Sequence, residues 1–216
     1  MPFGGAKPKG LLRVDVHGTL ARHFMLPRLP DFLAEYPAIE FYMSEGDRLV
    51  DLVREGIDCV VRVGDLHDSD MIARRVGMLA EVTCAAPAYI ERFGMPANVD
   101  ALAGHRMVGF HSSARALLPL EFTIDGVVRN VNLPASVAVN AAESLVAAGL
   151  LGVGLIQVPR YHIESDLARG ILVPVLPDFP PTPTPVSLLY PPNRQLSPRV
   201  RVFIDWLVHA FDASRG

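Results

Sequence analysis

GLLRVDVHGTLARHFMLPRLPDFLAEYPAIEFYM, residues 10–43, is the stretch whose reading decides the fold class. Leu11–Val16 is a short apolar run bounded by Gly10 and Gly18, which reads as a buried strand. Beyond Thr19 the spacing changes: Phe24, Leu29, Phe32, Leu33 and Tyr36 recur at helical intervals. Thr19 is suited to cap that helix, its hydroxyl accepting from the free amides of the first turn. Pro27 and Pro30 lack the amide hydrogen and are expected to bend or restart it, and Pro37 to end it. Ile39–Met43 then reads as a second strand.

The same alternation continues outward. Gly46 opens a short amphipathic helix with Leu49, Leu52 and Val53 inward, and Gly56 closes it. Ile57–Val63 is apolar except for Asp58 and Arg62, the pattern of a central strand. Met71–Val76 and Leu79–Ala85 read as two extended segments broken at Gly77, and Pro87 starts a short helix. Met107–Phe110 is a strand; Glu121–Ile124 and Val127–Leu133 form a hairpin around Asp125-Gly126, a dipeptide of tight turns. Strand Ser136–Val139, helix Asn140–Gly149, strand Val153–Val158 and helix Pro159–Leu167 follow, with Ile171–Val175 extended. PDFPPTPTP (177–185) connects to strand Val186–Tyr190 and to a last helix, with Ser197 as cap, Pro198 in its first position and Val200, Phe203, Ile204, Leu207 and Phe211 inward. Strand alternating with helix predicts an α/β protein. Composition shifts near Val82–Ala86 and at the proline run, so the chain is expected to cross twice between two lobes.

Of 216 residues half are hydrophobic, and the formal charge is −3. Eighteen of the 20 basic residues are Arg, scattered along the chain, which leaves no patch for a phosphate backbone. No segment approaches the roughly 20 apolar residues that span a bilayer, and MPFGGAKPKG lacks the apolar stretch of a secretory signal. The reading is a cytoplasmic protein with no membrane contact. Cys59 and Cys84 stand in apolar runs as reduced, buried thiols. Asp65, His67, Asp68 and Asp70 match no metal loop and read as a solvated turn. Gly149, Gly152 and Gly154 have the wrong order for a dinucleotide fingerprint; packing explains them better. With no nucleophile–base pair and no catalytic motif, neither an enzyme, a metal nor a cofactor is expected.

Six stretches, in this order and spacing, resemble the effector-binding domain of LysR-type transcriptional regulators: GLLRVDV (10–16), LPRLPDFLAEYP (26–37), DLVREGIDCVVRVGDL (51–66), CAAPAYIERFGMP (84–96), LAGHRMVGF (102–110) and AAGLLGVGLIQVPRY (147–161). Within the family the resemblance is to the branch of CrgA-type regulators. It implies the fold of type 2 periplasmic binding proteins: two Rossmann-like lobes, joined by two crossover strands, with a ligand cleft between them. Residues 10–82 with 186–212 would form lobe I and 83–185 lobe II, after a linker of residues 1–9. It implies a small-molecule effector as partner, a homodimer or homotetramer, and DNA contact only through an N-terminal winged helix-turn-helix absent from this chain. A stand-alone solute-binding protein of the same fold is the alternative.

In open α/β lobes ligands sit off the carboxyl ends of strands, where helix starts present unpaired amides. The effector-binding candidates are therefore Gly18, Thr19 and Leu20 after the first strand, Glu45 after the second, and Arg62 with Gly64 at the third. Lobe II would supply His111, Ser112, Asn140 and Ile156. Arg62 either clamps an anion bidentately or pairs with Asp58, Asp65 or Glu45 as a structural ion pair. Thr19, Ser112 and Asn140 match positions that commonly face the effector in the family. Thr19 and Asn140 are the expected contacts of an anionic metabolite.

Overall fold

A computed structural model describes residues 8–46, 52–64, 71–111, 116–192 and 196–212. The Asp65–Asp70 turn and Ser112 lie outside the described residues, as does the inward packing of the helix that follows Gly46. The chain folds as two compact units, Met1–Met78 with Pro185–Gly216, and Leu79–Thr184.

Strand β1 (Gly10–Val16) runs into a helical stretch whose winding changes three times. Helix α1 (Gly18–Leu20) passes into a π turn, Ala21–Met25, then a 3₁₀ turn, Leu26–Arg28, then α2 (Leu29–Glu35). Pro27 falls in the 3₁₀ turn and Pro30 in the first turn of α2. Each proline removes a backbone donor, so the ladder re-forms with a different pitch on either side. Thr19 is not the cap: His17 holds that position without a side-chain bond to the helix start, and the Thr19 hydroxyl turns to His17 instead. After β2 (Ile39–Glu45), α3 (Leu52–Glu55) and β3 (Cys59–Val63), the chain leaves through β4 (Ile72–Leu79). The strand break falls at Ala80, not Gly77. Gly77 lies within β4, where a Cβ would stand 3.0 Å from the Phe211 ring.

The second unit begins with β5 (Glu81–Ala85) and α4 (Pro87–Phe93). A 3₁₀ turn, Val99–Leu102, leads to β6 (Gly109–His111), β7 (Leu117–Leu118), β8 (Leu120–Ile124) and β9 (Val127–Val131). Asp125 and Gly126 both take positive φ, 49° and 78°, in the two-residue turn between β8 and β9. Next come β10 (Ala138–Val139), α5 (Ala142–Leu150), β11 (Ile156–Pro159), α6 (Arg160–Ala168) and β12 (Val173–Pro174). Strand β5 is central, antiparallel to both β11 and β12. Gln157 binds β11 to its neighbours: its amide donates to Thr83 Oγ1 at 2.8 Å and to the Glu121 carbonyl at 2.6 Å, and its carbonyl accepts from Glu121 N.

The chain returns through β13 (Thr184–Tyr190) and ends in α7 (Pro198–Asp212). The first unit's sheet has the order β2-β1-β3-β13-β4, with β1 parallel to both neighbours and β13 antiparallel to β3. The two crossover strands are thus adjacent in one sheet. Helix α7 lays its apolar stripe on this sheet and α2: Phe32 packs on Phe203 and Trp206, and Phe24 stacks on Phe211 at 4.4 Å. Arg201 N donates to the Ser197 carbonyl, but the Ser197 hydroxyl does not cap the helix.

Glu81 opens β5 at one crossover and reaches Thr184 at the other. Burial pushes its carboxyl up to about 7; the neighbouring Glu121 charge adds to this, and the Thr184 hydrogen bond opposes it. A folded-state value above the unfolded one means that the native protein holds the extra proton. Stability is therefore full below about pH 4.5 and falls as pH rises through 7. Glu81→Gln is expected to remove that slope and raise unfolding free energy at pH 8 by about 1–2 kcal/mol. Urea titrations at pH 5 and pH 8 measure it; a variant that keeps the wild-type slope refutes the assignment.

Candidate functional site

The carboxyl ends of β1, β2 and β3 lie side by side, because the parallel register sets Val16 against both Glu45 and Val61. Asp15 organises this end of the sheet. It is 5% exposed, and its carboxylate accepts from the Ser44 hydroxyl at 2.6 Å and from Arg62 Nη2. Arg62 Nη1 adds bonds to the carbonyls of Val61 at 3.2 Å and Asp15 at 3.4 Å. Asp15, which the sequence did not suggest, is thus a partner of Arg62, while Asp65 lies outside the described residues. Most of the guanidinium edge is spent inside the protein, holding the end of β1 to β3.

Beside that pair Thr19 is buried, His17 half-buried, and Arg22, His23 and Glu45 exposed. His17 Nδ1 lies 2.8 Å from Thr19 Oγ1, and His23 Nδ1 lies 3.0 Å from the Thr19 carbonyl. The first backbone bond of the helical stretch runs from Ala21 N to the His17 carbonyl. The amides of Gly18, Thr19 and Leu20 therefore precede the ladder, at a helix start that favours negative charge. A carboxylate already rests there: Glu45 Oε2 bonds Arg22 at 2.9 Å and lies 2.6 Å from where a Gly18 side chain would begin. A side chain at position 18 would push this flexible carboxylate aside.

The remaining candidates divide between surface and core. Gly64, with φ of 94°, donates its amide to the Pro185 carbonyl at 2.9 Å. The Leu20 side chain is fully buried in the first unit, and Ile156 is fully buried in the second. In the second unit β10 runs parallel to β6, with Val139 opposite Phe110, so Asn140 and His111 come to the same strand ends. Asn140 is exposed and does not open a helix: α5 starts at Ala142 with Ala141 before it. Asp15, Ser44 and Arg22 were not among the candidates. The signal available for Asp15 is a charge inside the largely apolar run LLRVDV, which Arg13 shares.

The profile of the LysR substrate-binding domain family matches residues 5–212. The helix-turn-helix transcriptional regulator YhjC of Escherichia coli K12 is 40% identical over 200 residues, which are 92% of this chain and 67% of that protein. A helix-turn-helix transcriptional repressor of Pseudomonas aeruginosa is 34% identical over 96% of this chain and 66% of its own length. The chain thus spans about two thirds of these relatives. Among solved structures, the regulatory domain of CrgA, a LysR-type transcriptional regulator from Neisseria meningitidis, superposes with a TM-score of 0.79 at 25% identity, over 94% of this chain and all of that one.

Proposed function

Because the chain belongs to the LysR substrate-binding domain family, the effector-binding part of LysR-type transcriptional regulators, we propose that it senses a small anionic metabolite between two lobes. In this reading lobe I comprises residues 10–82 and 186–212, and lobe II residues 83–185. The effector acts only through unequal affinity for two arrangements of the protein. It biases the packing of a homodimer or homotetramer, and DNA is contacted through a helix-turn-helix outside these 216 residues. The protein works in the cytoplasm, without turnover and without membrane contact.

The observation that carries the anionic effector is the Glu45 carboxylate against Gly18 and Arg22. A site that holds the protein's own carboxylate at a helix start has the donors to hold another. Gly18, Thr19 and Leu20 offer backbone amides, and the Thr19 hydroxyl, 2.8 Å from His17 Nδ1, adds a donor; Asn140, His111 and Ser112 are the second unit's candidates.

A thermal-shift series of aromatic and aliphatic carboxylates tests the reading, since a ligand that binds only the folded state raises the melting temperature. For the strongest hit, Thr19→Val is expected to weaken affinity about tenfold, the worth of one hydrogen bond to a charged group. Glu45→Gln is expected to strengthen it, because a negative charge that would repel the ligand is removed from beside Arg22. Unchanged affinity in Thr19→Val refutes the placement of the ligand at this strand end.

A further inference from the structure

A cavity of about 220 Å³ lies in the first unit, between the end of β13 and the start of α7. It is at the opposite edge of the sheet from the site above. Asp58 precedes β3 and Tyr190 ends the antiparallel β13, so both mark the edge where β1 and β3 begin. Tyr190, Leu196 and Val200 give the cavity an apolar wall, while Asp58, Ser197 and Arg199 line its polar side.

The polar side is unevenly satisfied. Asp58 is 8% exposed; its carboxylate accepts from Arg13 N at 3.0 Å and from Arg199 Nη2 at 3.0 Å. Arg199 and Ser197 are half-buried residues, but their Nε and Oγ atoms are themselves covered and have no hydrogen-bond partner among the described residues. Buried donors are rarely left so, and an unpaired one costs its full desolvation. The amides of Arg199 and Val200 also precede the first backbone bond of α7, from Arg201 N to the Ser197 carbonyl. Ser197 Oγ and Arg199 Nε can both donate, on a helix of 15 residues whose start favours negative charge. The Asp58 charge is matched by Arg199, so it does not bar a second carboxylate on the guanidinium's Nε side.

We propose that this cavity is a second ligand site, separate from the effector junctions, for a small monocarboxylate with an apolar body. The carboxylate accepts from Ser197 Oγ and Arg199 Nε, and the body lies on Tyr190, Leu196 and Val200. The volume falls below the roughly 300–1,000 Å³ of pockets for drug-sized molecules, which restricts the ligand to about one ring.

Benzoate is the probe, titrated by calorimetry and by protein NMR into the 216-residue chain, with benzamide as its uncharged counterpart. Benzoate is expected to bind in the range below about 10 mM reached by small ligands, and benzamide more weakly. Ser197→Ala should weaken benzoate about tenfold, as for one bond to a charged acceptor. Leu196→Trp should fill the cavity and abolish binding. Ser197→Ala removes only one hydroxyl and keeps the test valid if the larger replacement unfolds the protein. No benzoate binding up to about 10 mM means that the cavity holds water alone and overturns the proposal. Binding that survives Ser197→Ala overturns it equally, and equal affinity for benzamide overturns the assignment of charge.

Discussion

Asp15→Ala is expected to lower the unfolding free energy by about 3–5 kcal/mol, the cost of removing one partner from a buried ion pair. The side chains of Asp15 and Arg62 are 7% and 14% exposed, so neither charge is screened as a surface pair would be. Without the carboxylate, the Arg62 guanidinium keeps its carbonyl contacts but loses the opposite charge of Asp15, and the Ser44 hydroxyl loses its acceptor. Three strands meet at this point, so the loss falls on the sheet and not on one loop. Urea denaturation measures it as a lower midpoint with an unchanged slope. Asp15→Asn separates charge from shape, because the amide oxygen still accepts from Ser44. An Asp15→Ala variant less than about 1 kcal/mol weaker than wild type would show that the pair is worth no more than an exposed one.

The contrast between Arg62 and the strands around it shows what the sequence can disclose. The strand and helix order of the first 64 residues is written in hydrophobic period, two for strands and 3.6 for helices, and period is a local property. The Pro27 and Pro30 disturbance was legible for the same reason: a missing amide hydrogen acts within one turn. The partner of Arg62 was not. Asp15 lies 47 positions away, and the choice of Asp15 over the nearer Asp58 depends on register across parallel strands. The caps failed in a related way. Thr19, Ser197 and Asn140 have the right chemistry for helix starts, but the Thr19 hydroxyl lies by His17, that of Ser197 faces a cavity, and Asn140 sits two residues before α5. Composition identifies a residue able to cap, whereas the competing partner comes from tertiary structure. Leu20 and Ile156 carry the same lesson. Their positions beside strand ends were readable, but not that their side chains point into the core.

Gly154→Ala is expected to cost about 3 kcal/mol, the upper range for forcing extra volume into packed structure. The added Cβ would stand 2.6 Å from the carbonyl carbon of Met107 and 2.9 Å from Val108 N. Both are backbone atoms, so no rotamer change relieves the contact. The backbones approach this closely because Leu155 N donates to the Arg106 carbonyl at 2.9 Å and Val108 N to the Leu155 carbonyl at 3.0 Å. Accommodating a methyl group means breaking that bridge, which joins the start of β11 to the segment before β6. Gly149 is a milder case. Its Cβ would meet the Ile156 side chain at 2.5 Å, and a side-chain end can move where backbone cannot. Gly149→Ala is therefore expected to cost less than Gly154→Ala, and thermal denaturation of the two variants orders them. If Gly154→Ala proved the milder, the backbone bridge would not be the constraint, and the glycines of AAGLLGVGL would need an explanation other than close packing.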